Sequence, residues 1–218
     1  MNKFIVFDLD GTLMDTIGGI TLAINNTLEN FKYKYRYTEK NIRGMIGKGA
    51  KSLFLAATKR RRIIDEEFDY YNLEYIKTQT VAKVYDGVFE TLELLRKKGY
   101  KLIIFSNKPD GALRYLVEDK LSKVNWLFVR GNSEDFPPKP DPTGLFDLMK
   151  KCGLKSTDIG YYVGDSVYDV ETAKNANLKS VLCLYGYGDY EKLKNINCDI
   201  KINSFKELGE KLWKFPRK

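Results

Sequence analysis

Short runs of apolar residues recur along the chain, and each run ends at a polar residue. Residues 4–7, 102–105 and 161–163 are aliphatic or aromatic throughout. An unbroken apolar run of this length is typical of a strand that is buried on both faces of a parallel sheet. Segments with helical spacing of apolar residues separate these runs, and such alternation predicts right-handed parallel crossovers.

The pattern therefore predicts an α/β fold, a Rossmann-like parallel-sheet core with helices on both faces. The predicted strands lie at 3–8, 101–105, 127–130, 160–163 and 180–184. The predicted helices of this core lie at 88–98, 110–118, 142–151, 167–175 and 204–213.

One segment breaks the alternation, because residues 15–82 carry no strand signal. Helical spacing of apolar residues predicts helices over 17–31, 52–58 and 65–79, and a further helical stretch opens at Thr38. We therefore predict an inserted α-helical cap domain over 15–82. The core domain would then consist of residues 1–14 and 83–218.

The composition indicates that the chain can bury a substantial core and that it carries a net positive charge. Of the 218 residues, 43% are hydrophobic, and the formal net charge is +8. The basic run at 59–62 is typical of a solvated face, and no nucleic-acid-binding module accompanies it, so we do not expect nucleic acid as a partner. A positive field would instead attract anionic phosphate esters.

No apolar stretch approaches the roughly 18 residues that a membrane span needs, and the N-terminus shows no signal-peptide pattern. We therefore expect a cytoplasmic protein with no membrane partner, present as a monomer or homodimer.

The sequence contains no histidine. This absence excludes every mechanism with a histidine base, nucleophile or metal ligand, and with it the serine–histidine hydrolases and the zincins. Oxygen ligands around a hard cation such as Mg²⁺ remain available. Carboxylates must therefore serve as the acids and bases of any such reaction.

Asp8 and Asp10 follow the first apolar run directly, within the segment Asp-Leu-Asp-Gly-Thr. The carboxyl ends of parallel strands form the ligand crevice of an open sheet, so both acids are predicted to face that crevice. Two carboxylates so close repel each other, and a divalent cation is the usual remedy. The alternative is a polar turn that merely ends the strand.

Further polar residues follow the later strands. Ser106 and Asn107 come after one apolar run, Asp165 and Asp169 come after another, and Lys139 lies in a proline-rich segment between them. Each has a plain alternative role. Ser106 would only cap a helix, Lys139 would be a surface lysine, and Asp169 would supply favourable charge at a helix N-terminus.

Taken in order, these segments resemble the four motifs of the haloacid dehalogenase superfamily of phosphohydrolases, which are DxDGT, a Ser or Thr closing a strand, a Lys, and GDxxxD. The finer resemblance is to the phosphoglycolate-phosphatase-like branch. Ser-Asn-Lys-Pro at 106–109 resembles the TNKP of that branch, Lys139-Pro140 its KP motif, and Gly-Tyr-Gly at 186–188 its glycine-rich turn. The resemblance spans nearly the whole chain.

Asp8 is the candidate nucleophile, because a carboxylate forms an acyl phosphate once nearby groups neutralise the phosphoryl oxygens. Asp10 is the candidate general acid for the leaving group and then the base for water. In the resembled family, Ser106 would donate a hydrogen bond to a phosphoryl oxygen, and Lys139 would place a positive charge beside it.

The resemblance also implies Mg²⁺ as the cofactor. The carboxylates of Asp8 and Asp165 and the backbone carbonyl of Asp10 would bind the ion, with Asp169 supporting the site. Mg²⁺ keeps several waters in its octahedral shell, so few protein ligands suffice.

Substrate contacts are predicted from both domains. In the core, Gly11, Thr12 and Asn107 are predicted to bind substrate, and exposed backbone amides after Asp8 would stabilise phosphoryl charge. In the cap, Arg43 and Lys48 would meet a second anionic group when the cap closes. A solvated basic helix end is the alternative for this pair.

We therefore predict an Mg²⁺-dependent phosphatase that hydrolyses a small phosphorylated metabolite, phosphoglycolate-like, through an aspartyl-phosphate intermediate. Asp10 argues against carbon–halogen cleavage, since the dehalogenases of the superfamily lack Asp at this position. A sugar-phosphate mutase is disfavoured by the missing histidine and by Ala50, which stands where those caps carry an arginine. The remaining alternatives are a pyrophosphatase or nucleotide phosphatase and a non-catalytic phosphoryl-binding protein.

Overall fold

The computed structural model of the protein describes residues 1–155 and 157–214. The strands within these residues are β1 (Lys3–Phe7), β2 (Met14–Asp15), β3 (Lys83–Val84), β4 (Tyr100–Pro109), β5 (Phe128–Asn132), β6 (Ile159–Gly164), β7 (Lys179–Cys183) and β8 (Ile200–Ile202). The helices are α1 (Ile17–Asn30), α2 (Glu39–Arg43), α3 (Ala50–Thr58), α4 (Asp65–Thr78), α5 (Val88–Lys97), α6 (Asp110–Leu121), α7 (Thr143–Lys151), α8 (Val167–Asn175), α9 (Tyr190–Leu193) and α10 (Glu207–Lys214).

Six strands form one parallel sheet in the order β5-β4-β1-β6-β7-β8. The first strand, β1, lies in the middle of this sheet. The chain adds β4 and β5 on one side of it and then β6, β7 and β8 on the other side. Phe7 pairs with Ile104 of β4 and Val163 of β6, so the three central strands reach the same edge. Ligands of open α/β sheets bind at such a switch point, beyond the carboxyl ends of the strands.

Successive residues of β1 point to opposite faces of the sheet. Ile5 and Phe7 pack with residues of α5, α6 and α10, whereas Phe4 and Val6 pack with residues of α7 and α8. All four side chains are completely buried, and such burial stabilises the fold by about 1.5–3 kcal/mol for each side chain. Burial on both faces explains the unbroken apolar run and confirms the predicted α/β core.

Between β2 and β3 the described chain forms only helices, α1 to α4, followed by a 3-10 turn at Gln79–Val81. Their apolar faces meet in a single cluster in which Phe54 and Tyr71 are completely buried. Ala112 of α6 and Tyr187 belong to the same cluster. The helical segment therefore packs directly on the edge of the sheet where the strands end.

The chain leaves and re-enters the core at one place. Met14 pairs with Val84 and Asp15 with Lys83 in a short antiparallel ladder. The predicted cap limits, 15–82, coincide with this ladder and stay a prediction. None of the helices described by the structure is both long enough and apolar enough to cross a membrane.

Candidate active site

The ends of three neighbouring strands bring predicted site residues into one cavity of about 80 Å³. Asp8 and Asp10 follow β1, Ser106 lies in β4, and Asp165 follows β6, and all four side chains line this cavity. Asp8, Ser106 and Asp165 are buried. Arg43 of the helical segment lines the cavity from the opposite side.

Lys139 is a buried lysine held between two carboxylates. Its Nζ lies 3.0 Å from Asp8 Oδ2 and 2.6 Å from Asp169 Oδ1. Burial opposes the charge of this ammonium, but the carboxylates of Asp169 and Asp8 outweigh burial and raise the pKa of Lys139 well above its usual value. Lys139 is therefore a fixed positive charge beside Asp8 and not a surface lysine.

Three carboxylates form a cluster that suits a metal ion. Asp8, Asp165 and Asp169 each offer one oxygen, and these oxygens lie within 4.8 Å of one another. Burial, with the charges of Asp169 and Asp8, raises the pKa of Asp165 well above its usual value. A hard divalent cation such as Mg²⁺ prefers oxygen ligands and would remove this repulsion.

The three carboxylates differ in their other partners. Asp169 Oδ1 accepts from Lys139, and its Oδ2 accepts from the backbone N–H and the hydroxyl of Ser166. Asp165 Oδ2 accepts from the Tyr187 N–H at 2.6 Å. Asp8 Oδ1 accepts from the Leu9 N–H at 2.8 Å, and its Oδ2 lies 3.0 Å from the Lys139 ammonium. All three carboxylates therefore have partners in the protein, and which of them would bind a metal ion stays a prediction.

Gly11 and Gly186 enclose the Asp165 side chain. Gly11 has a φ of +73°, and a Cβ built on it would lie 2.2 Å from Asp165 Oδ2. A Cβ on Gly186 would lie 2.4 Å from the same oxygen. Any larger residue at either position would displace the carboxylate, which explains the glycine after Asp10 and the glycine-rich turn at 186–188.

A hydroxyl and a lysine hold the Asp10 carboxylate. Thr16 Oγ1 donates to Asp10 Oδ1 at 2.7 Å, and Lys108 Nζ donates to the same oxygen at 3.0 Å. Burial lowers the pKa of Lys108, and the Asp10 carboxylate opposes that effect. Lys108 belongs to the Ser-Asn-Lys-Pro segment at 106–109, but its contact with Asp10 was not predicted.

Ser106 and Asn107 organise the loops around the cavity. The Ser106 hydroxyl accepts from the Lys108 N–H at 3.2 Å. Asn107 Nδ2 donates to the carbonyl of Gly47 at 2.9 Å, and its Oδ1 accepts from the Lys139 N–H at 2.8 Å. Asn107 therefore joins the 47–49 loop to the loop of Lys139, and its predicted contact with substrate stays a prediction.

The other predicted substrate residues differ in whether they line the small cavity. Gly11 and Thr12 are not among the described residues that line the small cavity, and the carbonyl of the completely buried Thr12 accepts from the Tyr185 hydroxyl at 2.8 Å. The Arg43 guanidinium lies 5.1 Å from the centre of the Tyr187 ring, at the cavity. Lys48 instead lines a neighbouring cavity of about 450 Å³.

The chain matches the haloacid dehalogenase-like hydrolase family over residues 5–183 and belongs to this family. The predicted resemblance and the prediction of a hydrolytic enzyme are thereby confirmed. Among curated relatives, the phosphoglycolate phosphatase of Pseudomonas savastanoi pv. phaseolicola (strain 1448A / Race 6) is 30% identical over 214 residues, which cover 94% of this chain and 78% of that protein. The phosphoglycolate phosphatase of Aliivibrio fischeri (strain ATCC 700601 / ES114) is 29% identical over 216 residues, 94% of each chain.

A solved structure shows the same architecture. The crystal structure of a predicted phosphoglycolate phosphatase from Haemophilus somnus 129pt has a TM-score of 0.79 and 26% sequence identity to this chain, and the match covers 97% of this chain and 98% of that one.

Proposed function

We propose that this hydrolase is an Mg²⁺-dependent phosphatase that hydrolyses a small phosphate monoester through an aspartyl phosphate on Asp8. The observation that supports it most strongly is the position of Asp8 at the end of β1, 3.0 Å from the ammonium of the buried Lys139. Asp10 and Ser106 line the same cavity. The relatives named phosphoglycolate phosphatase support a phosphate monoester as substrate.

In the first step, an oxygen of the Asp8 carboxylate attacks phosphorus, and the bond from phosphorus to the leaving-group oxygen breaks. Asp10 gives its proton to that oxygen. The Lys139 ammonium and the Ser106 hydroxyl stabilise the negative charge on the phosphoryl oxygens. A Mg²⁺ ion held by Asp8, Asp165 and the carbonyl of Asp10 would supply further neutralisation of this charge.

In the second step, water attacks the phosphorus of the aspartyl phosphate. Asp10, now a carboxylate, accepts a proton from this water. The bond between phosphorus and the Asp8 oxygen breaks, which regenerates the Asp8 carboxylate and releases inorganic phosphate. Both half-reactions therefore use one pair of carboxylates on one strand end.

The size of the cavity favours a small ester such as phosphoglycolate. Its volume of about 80 Å³ is far below the roughly 300–1,000 Å³ of sites for drug-sized ligands. Arg43 would pair with an anionic group on the leaving side. The larger cavity beside Lys48 shares Gly49, Ala50 and Tyr75 with the small one, so longer esters belong in the test.

Phosphate release from phosphoglycolate, other alkyl phosphates, pyrophosphate and nucleotides, with Mg²⁺ or EDTA, tests this proposal. We expect turnover of small esters with Mg²⁺, little turnover with EDTA, and loss of activity in Asp8→Asn. Asp69→Asn makes the same chemical change on the exposed side of α4 and should retain activity. Turnover that survives Asp8→Asn would overturn the aspartyl-phosphate mechanism. Absence of turnover on every ester would favour a phosphoryl-binding protein.

We also propose residues 15–82 as a cap domain that closes over this site, supported by the ladder of β2 and β3 at its two ends. The cytoplasmic location and the monomeric or homodimeric state stay predictions.

A further inference from the structure

Lys108 links Asp10 to the helical segment through one ammonium group. Its Nζ donates to Asp10 Oδ1 at 3.0 Å, to the Tyr75 hydroxyl at 2.9 Å and to Gln79 Oε1 at 3.1 Å. Asp10 follows β1 in the core, whereas Tyr75 lies in α4 and Gln79 begins the 3-10 turn after it. The acceptors therefore come from both sides of the junction between the two regions.

These contacts use the whole hydrogen-bonding capacity of the group. An ammonium has three protons, and oxygens of three residues accept them, with both oxygens of Asp10 within reach. Lys108 is among the residues that line the small cavity. Its side chain nevertheless has 0% exposed surface, so contact between its ammonium and a substrate would require one of these bonds to break. Lys108 is thus placed to orient other groups rather than to bind substrate.

The charge of Lys108 makes its partners depend on one another. A buried ammonium is costly unless a carboxylate compensates it, and removal of either partner of such a pair destabilises the protein strongly. Asp10 provides this compensation, and Tyr75 and Gln79 satisfy the remaining protons. When the helical segment moves away, two of the three accepting residues, Tyr75 and Gln79, move with it.

A second contact acts on the same Asp10 oxygen. Thr16 Oγ1 donates to Asp10 Oδ1 at 2.7 Å, and Thr16 is the residue immediately before α1. Two donors thus fix the orientation of Asp10. Lys108 is bound to α4 and the turn after it, and Thr16 lies at the start of α1.

We propose that Lys108 is a positioning residue that couples the packing of the helical segment against the core to the orientation of the Asp10 carboxylate. The inference rests on the proposed function, because it gives Asp10 the role of acid toward the leaving group. The reaction would be efficient only when α4 is seated, since only then does Lys108 hold Oδ1 of Asp10 while Oδ2 carries the proton for the leaving group. Misplacement of a catalytic group by about 1 Å is enough to cost roughly 100-fold in rate.

The test compares leaving groups. An alkyl phosphate such as phosphoglycolate needs a proton on its leaving oxygen, whereas p-nitrophenyl phosphate releases a stable anion without one. We expect Lys108→Met to lower kcat on phosphoglycolate about 100-fold, within the range that general acids contribute. On p-nitrophenyl phosphate the loss should stay below about fivefold, and KM for both substrates should change little, because a positioning residue makes no substrate contact.

Tyr75→Phe removes a single hydroxyl from the same hydrogen-bond network. If Lys108→Met does not fold, Tyr75→Phe tests whether this network positions Asp10. It should lower kcat on phosphoglycolate in the same direction by a smaller factor. The double variant should be no worse than Lys108→Met alone, because both changes act through one ammonium. Lys77→Met is the matched control, since Lys77 is an exposed lysine of α4 paired with Glu74, and it should leave both substrates unaffected.

The outcomes separate the two proposals. Wild-type protein that hydrolyses neither substrate with Mg²⁺ would overturn the proposed function and this inference with it. An active wild type combined with equal losses on both substrates, or with no loss, would overturn the positioning role of Lys108 alone. An equal loss would mean that Lys108 only stabilises the fold.

Discussion

The parallel-sheet core and the helical cap segment differ in how their elements are held together. The six core strands are joined by backbone hydrogen bonds and packed by apolar residues on both faces, and the candidate site residues follow the strand ends. The cap helices are held together by side-chain contacts, in which aliphatic residues surround a group of rings. Phe54, Phe68, Tyr71 and Tyr75 lie with neighbouring ring centres 5.3–5.9 Å apart.

This difference separates the site residues whose positions are fixed by the sheet from those whose positions can change with the cap. Strand register sets the positions of Asp8, Ser106 and Asp165, because one strand cannot shift without breaking its backbone hydrogen bonds to the neighbouring strands. The cap contributes to the site through side-chain contacts from Arg43, Tyr75 and the 47–49 loop. Each of these side-chain contacts can break without the others. We therefore expect the core to determine which reaction is catalysed, and the cap to determine which substrates are accepted and when the site is closed.

The largest effect is expected from Lys139→Met in the core. This change removes the partner of two buried carboxylates, Asp8 and Asp169, and broken buried pairs typically cost about 3–5 kcal/mol. Phosphate release should fall at least about 1,000-fold, because the positive charge at the phosphoryl oxygens is lost. Urea unfolding and a phosphate assay measure both effects. Lys97→Met, in an exposed pair with Glu93, is the control, and an active Lys139→Met would refute the role of this lysine.

Next in size, Phe54→Ala tests whether the cap loosens independently of the core. The completely buried Phe54 should cost about 3–5 kcal/mol when truncated, since the ring leaves a cavity. Limited proteolysis read by mass spectrometry should show new cleavage within residues 17–78 and little in the sheet. Phe4→Ala is the matched truncation in the core. Equal cleavage patterns in the two variants would show that the regions unfold as one unit.

A smaller effect is expected from Arg43→Ala, which removes a cap cation that lines the same cavity as the acids. KM for phosphoglycolate should rise about tenfold, equivalent to about 1.4 kcal/mol, with kcat changed by less than about threefold. Lys48→Ala should change KM less for this substrate, because Lys48 lines the larger cavity. Steady-state kinetics on a short and a long ester distinguish the two. If Lys48→Ala has the larger effect on phosphoglycolate, the substrate extends into that cavity.

The smallest effect is expected at the opposite edge of the sheet. Asp158 accepts hydrogen bonds from the side chain and backbone of Asn2 and from the backbone of Lys155, and these bonds lower the pKa of Asp158 to about 2. A carboxylate with a depressed pKa stabilises the fold above its unfolded pKa of about 4, and this contribution disappears as the pH falls through the folded pKa.

Asp158→Asn should therefore unfold at lower urea than wild type at pH 7, and the gap should narrow between about pH 4 and pH 2. Activity should be unchanged, because the residue lies far from the strand ends that form the site. Urea midpoints at several pH values provide the measurement, with Asp119→Asn as an exposed control. A gap that is constant with pH would mean that the hydrogen bonds do not depend on the charge of Asp158.

Most elements of the core were predictable from the sequence. The predicted strand over 3–8 is β1 at Lys3–Phe7, and the predicted helix over 167–175 is α8 at Val167–Asn175. The pattern missed β2, β3, α9 and β8, because elements of two to four residues are too short to show a period. It also ended β4 at Phe105, whereas the strand continues to Pro109 with a shift in its register against β5.

By itself the sequence determined the α/β class, the strand ends that bear acids, and the absence of histidine chemistry, because period and strand-end position are local properties of the chain. Only the tertiary structure decided which charges pair. Lys139 lies between Asp8 and Asp169, and Lys108 lies between Asp10 and the cap. Both lysines precede a proline in the sequence, and neither has its charged partner among its sequence neighbours. Their partners come from distant segments, and a buried charge is paired by whichever groups the complete fold brings within hydrogen-bonding distance.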